Sequence, residues 1–159
     1  LKIYNVKKEI AVNCEIVVLQ KHLIPKKKNG WSFNWSKAFK EKPKTIYALK
    51  EEQTNNIHGL IQLIKDDGML IMELIELAPF NIGSKKLFEN VAGCLIAFGC
   101  RESLKLNTDY KGYLTFVSKT TLVELYRTKY YATQTIGTRM YIDPNSAELL
   151  ISKYLKDEK

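Results

Sequence analysis

Histidine, cysteine and proline are scarce in this chain, with two, three and four residues among 159. Each scarcity excludes a class of function. Cys14, Cys94 and Cys100 make an odd count with no CxxC pair, which argues against a disulfide scaffold and for reduced thiols in a cytoplasmic setting. Cys94 and Cys100 fall in one helical pattern and read as small buried residues. His22 and His58 do not pair at a ligand spacing, so no metal site is expected. No apolar run approaches the ~20 residues needed to cross a bilayer. The opening LKIYNVKKEI carries charge without a long apolar block, so no signal peptide is expected.

What is present is ordinary for a globular protein. Hydrophobic residues make up 45% and charged residues 26%. A length of 159 residues predicts one domain, 1–159, with room for a proper core. The net charge of +8 suits an anionic partner, or simply solubility. Basic residues concentrate only at Lys26 to Lys28 and at Ser84-Lys85-Lys86; elsewhere they are dispersed, which disfavours a nucleic-acid interface.

Along the chain, EIVVLQ (15–20) reads as a strand. A long excursion from Lys21 to Lys44 follows, interrupted by Pro25, Gly30 and Pro43, with a short helix expected near Ser36 to Lys40. Trp31, Phe33 and Trp35 alternate within it, either clamping the excursion to the core or forming an aromatic wall toward a substrate. Thr45 to Glu51 is a second strand, and Asp66-Asp67-Gly68 joins two further apolar runs as a hairpin. The run from Met69 to Leu77 is broken only by Glu73 and Glu76, which alternation places on opposite faces of that strand.

Apolar positions Leu87, Val91, Cys94, Leu95 and Phe98 predict a helix from about Leu87 to Leu106, and Ala92, Gly93, Ala97 and Gly99 would let it approach a sheet closely. Gly112 to Lys119 is a strand, 120–130 a helix, and two short strands flank Gly137. Asp143-Pro144 supplies a helix start, with Ala147, Leu150, Ile151, Tyr154 and Leu155 on the inner face. A helix between two strands allows one parallel crossover in an otherwise antiparallel sheet. The expected class is therefore α/β (α+β), a mixed, mostly antiparallel central sheet flanked by helices.

This element order, with MELIELAPFNIGSKKLFENVAGCLIAF (72–98) and SKTTLVELYRTKYYATQTIGTRMYID (118–143), resembles the GNAT superfamily of acyl-CoA-dependent N-acetyltransferases. The resemblance spans roughly Glu15 to Ile142. It implies acetyl-CoA as co-substrate and a small-molecule or peptide amine as acceptor; a homodimer is one candidate assembly, and the sequence does not decide the oligomeric state. The family's loop of Gln/Arg-x-x-Gly-x-Gly/Ala falls on Leu87 to Ala92, where only Ala92 fits and Asn90 stands in place of glycine. A helix start offers unpaired N–H groups to a pyrophosphate, and Asn tolerates unusual backbone angles. By this resemblance the cofactor-binding residues are Leu77, Lys85, Lys86, Asn90, Val91, Ala92 and Lys119. The backbone N–H near Leu77 would polarise the thioester carbonyl, and the lysines would meet phosphates. Lys119 replaces the asparagine that the family usually carries seven residues before its catalytic tyrosine.

That tyrosine corresponds to Tyr126, a general acid toward the departing thiolate; the plainer alternative is a core residue four positions after Leu122. Glu73 and Glu76 are the candidates for the base that deprotonates the amine, Glu73 ahead because it sits deeper in the strand. The functional expectation is acetyl transfer from acetyl-CoA to a primary amine. The alternatives are a non-catalytic CoA-binding or interaction module of the same fold and, less favoured, a basic nucleic-acid-binding domain.

Overall fold

The computed structural model describes residues 1–41 and 43–156. Nine strands form one sheet: β1 (Lys2–Asn5), β2 (Ile10–Val18), β3 (Thr45–Glu51), β4 (Ile57–Asp66), β5 (Met69–Leu77), β6 (Phe88–Glu89), β7 (Leu114–Val117), β8 (Thr133–Gln134) and β9 (Arg139–Ile142), in the order β6-β1-β2-β3-β4-β5-β7-β9-β8. The helices are α1 (Trp35–Phe39), α2 (Val91–Ser103), α3 (Val123–Lys129) and α4 (Pro144–Tyr154). Every described pairing is antiparallel except β5 with β7, which run parallel. The expected mixed sheet with one crossover is what forms, since the chain between these two strands contains α2 and must return across the sheet.

The local chemistry behind the elements is legible. Asp67 and Gly68 both take positive φ, 52° and 79°, at the tip of the β4–β5 hairpin, as a tight two-residue turn requires. Asp143 caps α4 by accepting from the Ser146 N–H at 2.8 Å, with Pro144 at the first helical position. Asn34 caps α1 in the same way, accepting from the Lys37 N–H at 3.0 Å.

Two apolar clusters cover the two faces of the sheet. On one face α2, α3 and α4 pack over Leu49, Ile61, Leu63, Leu70 and Met72. On the other the excursion packs Trp31, Trp35 and Ala38 over Ile46, Ala48 and Leu60. Trp35 is wholly buried and Trp31 nearly so, so these tryptophans clamp the excursion to the core. Among the small residues of α2, Gly99 lies against Leu114 of β7, whereas Gly93 lies under the Tyr154 ring, which a β-carbon there would overlap. Close approach therefore serves helix α4 as well as the sheet. Cys14, Cys94 and Cys100 are all buried.

Three sequence expectations need correction. Helix α2 starts at Val91, not Leu87, because residues 87–89 bond as an edge strand to β1: Glu89 lies opposite Tyr4, and the Val6 N–H donates to the Leu87 carbonyl at 2.9 Å. Apolar spacing alone does not register an edge pairing of two residues. Strand β1 itself went unread, and β2 begins at Ile10 rather than at residue 15.

The third correction concerns Glu73 and Glu76. In the β4–β5 ladder Leu63 pairs Met72 while Gln62 pairs Leu74, so Glu73 is the extra residue of a β-bulge. A bulge shifts side-chain alternation by one. Leu70 and Met72 face the α2 side before it; Ile75 and Leu77 face that side after it. Glu73 and Glu76 consequently share the excursion side of the sheet.

Candidate active site between strands β5 and β7

Strands β5 and β7 pair at only two positions, Leu70 with Leu114 and Ile71 with Thr115. Beyond these, among the described residues, β5 continues to Leu77 with no strand partner on that side, while β7 pairs with β9. The two strands part, and helices α2 and α3 close over the opening. The result is a narrow slot of about 180 Å³ lined by Ile75, Glu76, Leu77, Ala92, Ile96, Leu122, Leu125, Tyr126 and Tyr130. Its walls are mostly aliphatic, with tyrosines on the α3 side.

Tyr126 is 8% exposed and its ring lies 4.7 Å from that of Phe116 and 5.9 Å from that of Tyr130. Burial raises its pKa, so its phenol holds its proton at neutral pH. No hydrogen bond reaches its hydroxyl from the described residues. The ring is thus packed as a core residue is, yet its hydroxyl makes no hydrogen bond among the described residues. Tyr130 is buried too, and burial pushes its phenol well up. Sequence reading missed Tyr130 as a slot residue, although its place one helical turn after Tyr126 was the available signal.

At the mouth of the slot stands the start of α2. Asn90 adopts the left-handed conformation, φ 74° and ψ 7°, the backbone that glycine takes most readily. Its side chain makes no capping bond, and the first turn of α2 has no acidic residue. The first N–H groups of the helix therefore lack an intrahelical partner and face no nearby carboxylate of their own turn. Val91 is buried and Ala92 half-buried, Ala92 lining the slot opposite Leu77.

The three lysines singled out from sequence lie on separate segments, and none of them lines the slot. Lys85 and Lys86 occupy a folded excursion closed by the Leu87 N–H donating to the Phe80 carbonyl at 2.9 Å; Lys85 is exposed and Lys86 half-buried. Edge strand β6 separates them from the start of α2. Lys119 is exposed at the end of β7, immediately before the 3-10 turn Thr120–Leu122, which puts Leu122 in the slot wall.

The two carboxylates occupy different surroundings. Glu76, 8% exposed, accepts from the Ser32 N–H at 2.5 Å, the Phe33 N–H at 3.1 Å and the Trp35 indole Nε1 at 2.8 Å. It fastens the excursion to β5. Glu73 has a side chain 39% exposed and pairs with the Lys44 ammonium at 2.7 Å, which also binds Glu41 at 2.8 Å. Depth along the strand thus misjudged burial: the later residue, Glu76, is the enclosed one.

Comparison with solved structures places this fold. Two mutant forms of the spermidine N-acetyltransferase of Vibrio cholerae superpose with TM-scores of 0.54 and 0.56, at 17% and 15% identity, each covering 92% of this chain and 98% of the other. A spermidine/spermine N-acetyltransferase from the same organism, crystallised with manganese ions, superposes with a TM-score of 0.53 at 16% identity over 92% of this chain and 97% of that one. No protein-family model and no curated protein sequence matches the chain. The chain has the GNAT fold, a mixed, mostly antiparallel sheet flanked by helices.

Proposed function

We propose that the protein is an acyl-CoA-dependent N-acyltransferase that uses acetyl-CoA to acetylate a primary amine. The observation that carries this reading is the parting of β5 and β7 into an aliphatic slot, with the Tyr126 hydroxyl, unbonded among the described residues, on one wall and an open helix start at its mouth. The residues fit the co-substrate. Ile75, Leu77, Ala92, Ile96 and Leu122 suit a thin, extended pantetheine arm, while the N–H groups after Asn90, at Val91 and Ala92, suit a pyrophosphate. Lys85, Lys86 and Lys119 would add positive charge toward phosphates. Acetyl-CoA supplies an activated thioester carbonyl.

The chain's own groups then have separate tasks. Unpaired backbone N–H groups at the end of β5, near Leu77, orient a carbonyl by donation. Tyr126 holds a proton at its Oη for a departing sulfur. Glu76 is committed to three N–H donors and is better suited to holding the excursion in place than to taking a proton. Glu73, partly exposed and paired with Lys44, is the remaining carboxylate for the role of base toward an arriving ammonium, directly or through water. The acceptor is a small-molecule or peptide amine. Spermidine, the substrate named for the structural neighbours, is one candidate, although the net charge of +8 works against a polycation.

The test is CoA release from acetyl-CoA against a panel of amines, for the parent and for Tyr126→Phe. The substitution keeps the ring and its contacts with Phe116 and Tyr130, so folding should hold. Turnover should fall by ~10²-fold while CoA affinity stays within a few-fold. Full turnover in the Phe variant removes Tyr126 from the mechanism. CoA retained in a native mass spectrum without turnover on any amine favours the non-catalytic module, the reading that the glycine-poor loop and the two engaged carboxylates support.

A further inference from the structure

At the opposite end of β5 from the slot lies a second hollow, about 390 Å³, lined by Met69, Asp109, Tyr110, Tyr113, Thr115 and Tyr141. Met69 opens β5 and Ile75 lines the slot, so the two sites stand about 20 Å apart along the strand. The floor is the sheet itself, where Thr115 of β7 pairs with Tyr141 of β9. The Tyr113 and Tyr141 rings make a wedge, with centroids 5.9 Å apart and planes at 56°. Tyr110 is 46% exposed on the rim.

The rim is held in place by its own hydrogen bonds. The Thr108 hydroxyl donates to the Gly68 carbonyl at 2.6 Å and accepts from the Tyr110 N–H at 3.2 Å, while the Tyr113 N–H donates to the Tyr110 carbonyl at 3.0 Å. The turn bearing three lining residues is thereby tied to the β4–β5 hairpin, so the aromatic walls are set before any ligand arrives.

Charge completes the picture. This is a chain of 25 basic and 17 acidic residues, yet among the described residues the hollow is lined by no Lys or Arg and by one carboxylate, Asp109. Asp109 makes no ion pair with the described residues. Among the described residues the cation–ring contacts fall on other rings: Arg101 over Phe98, Lys129 over Tyr130 and Lys153 over Tyr154. The faces of Tyr110, Tyr113 and Tyr141 are left to something else.

We propose that this hollow is a binding site for an N-methylated ammonium group. A primary ammonium carries three donors that need acceptors, whereas this lining is mostly aromatic ring, with Asp109 its one charged acceptor. A methylated ammonium is bulky, weakly hydrated and has few or no N–H groups. It is held by aromatic faces within about 6 Å and by one diffuse countercharge, which is what the three tyrosines and Asp109 provide. The same head group occurs on small solutes such as choline and on methylated lysine side chains of proteins.

Proton NMR titration of the full chain with tetramethylammonium and with choline tests this, read on tyrosine ring signals and by saturation transfer to the ligand methyl groups. The expected result is saturable binding, with 3,3-dimethylbutan-1-ol, the uncharged shape analogue of choline, at least about fivefold weaker. Tyr113→Leu with Tyr141→Leu should abolish binding, whereas Phe at both positions should keep most of it and Asp109→Asn should weaken it severalfold. Should the Leu pair fail to fold, the Phe pair, Asp109→Asn and the neutral analogue still decide the matter. A trimethyl-lysine peptide that binds tighter than choline identifies a protein tail as the source; equal binding identifies a small solute. Absence of saturable binding, equal binding of the neutral analogue, equal binding of an unmethylated lysine peptide, or binding indifferent to the Leu pair each overturns the proposal.

Discussion

At the scale of single residues, Asn90 shows how a side chain other than glycine can hold a left-handed backbone at a helix start. Its φ of 74° belongs to a region that costs an ordinary L-residue about 1–2 kcal/mol. Asn enters it more easily than most residues and glycine enters it freely. Asn90→Ala is therefore expected to lower stability by about 1 kcal/mol, while Asn90→Gly stays within about 0.5 kcal/mol of the parent. Urea midpoints at constant m-value measure both. Asn90→Asp separates fold from ligand: a helix start accepts Asp well, but a carboxylate there repels a pyrophosphate. It should fold normally and bind CoA more weakly. An Asp variant that binds CoA as tightly as the parent moves the phosphate site away from α2.

At the scale of elements, the end of β5 is shared by two functions, and Glu76 stands at the division. Ile75 and Leu77 point toward the slot side, while the Glu76 carboxylate takes three donors from the excursion on the other. In Glu76→Gln one oxygen becomes an NH₂ group and confronts an N–H donor, so we expect a loss of about 2–3 kcal/mol. Both tryptophans of the chain, Trp31 and Trp35, lie in the segment that Glu76 holds. Tryptophan emission therefore reports on this segment: it should shift to the red and acrylamide quenching should rise. Unchanged emission and an unchanged urea midpoint, together with lost turnover and an altered pH profile, would instead make Glu76 the base.

The same strand shows what could and could not be read from sequence. Turn chemistry at Asp66-Asp67-Gly68, the Asp143-Pro144 helix start and the β5–α2–β7 order depend on local signals, and they were legible. The bulge at Glu73 was not, because one extra residue in a ladder is decided by the partner strand. Strand β6 and its partner β1 were missed for a related reason. Phe88 and Glu89 gain strand character only from Tyr4 and Asn5, some 80 residues away in sequence. Within the site, Tyr126 became a candidate only through the resemblance of LVELYRTKYY, since its spacing from Leu122 fits a plain core residue equally well. The slot partners Ile75, Ile96, Leu125 and Tyr130 are ordinary apolar or aromatic residues until the strands part.

At the scale of the whole molecule, a second β-bulge ties local geometry to pH. In the β3–β4 ladder Leu49 pairs Gly59 and Lys50 pairs Ile57, which leaves His58 as the extra residue. Its ring is 1% exposed, with Nε2 at 3.0 Å from the Glu51 carboxylate and Nδ1 at 3.0 Å from the Asn81 amide nitrogen. Since the amide nitrogen can only donate, Nδ1 accepts and the proton sits on Nε2, which donates to Glu51. Asn81 also donates to the His58 carbonyl at 3.2 Å, and the Ala78 N–H donates to that same carbonyl at 2.9 Å. This one residue therefore joins β4, the end of β5 and the start of the loop leading to α2. Burial lowers the His58 pKa, partly opposed by the hydrogen bond and charge of Glu51. A base whose folded pKa lies below its unfolded value of about 6.5 binds more protons when unfolded in the interval between the two. Its stabilising contribution is complete above the unfolded value and is lost as pH falls through the folded one. Urea midpoints of the parent should therefore decline as pH is lowered from 7.5 through the His58 range. His58→Gln keeps hydrogen-bonding groups on the ring's site but cannot titrate, so it should flatten that decline even where it lowers stability overall. A parent and a Gln variant with parallel pH profiles would show that acid sensitivity arises elsewhere, and that the neutral ring does not govern the junction behind the slot.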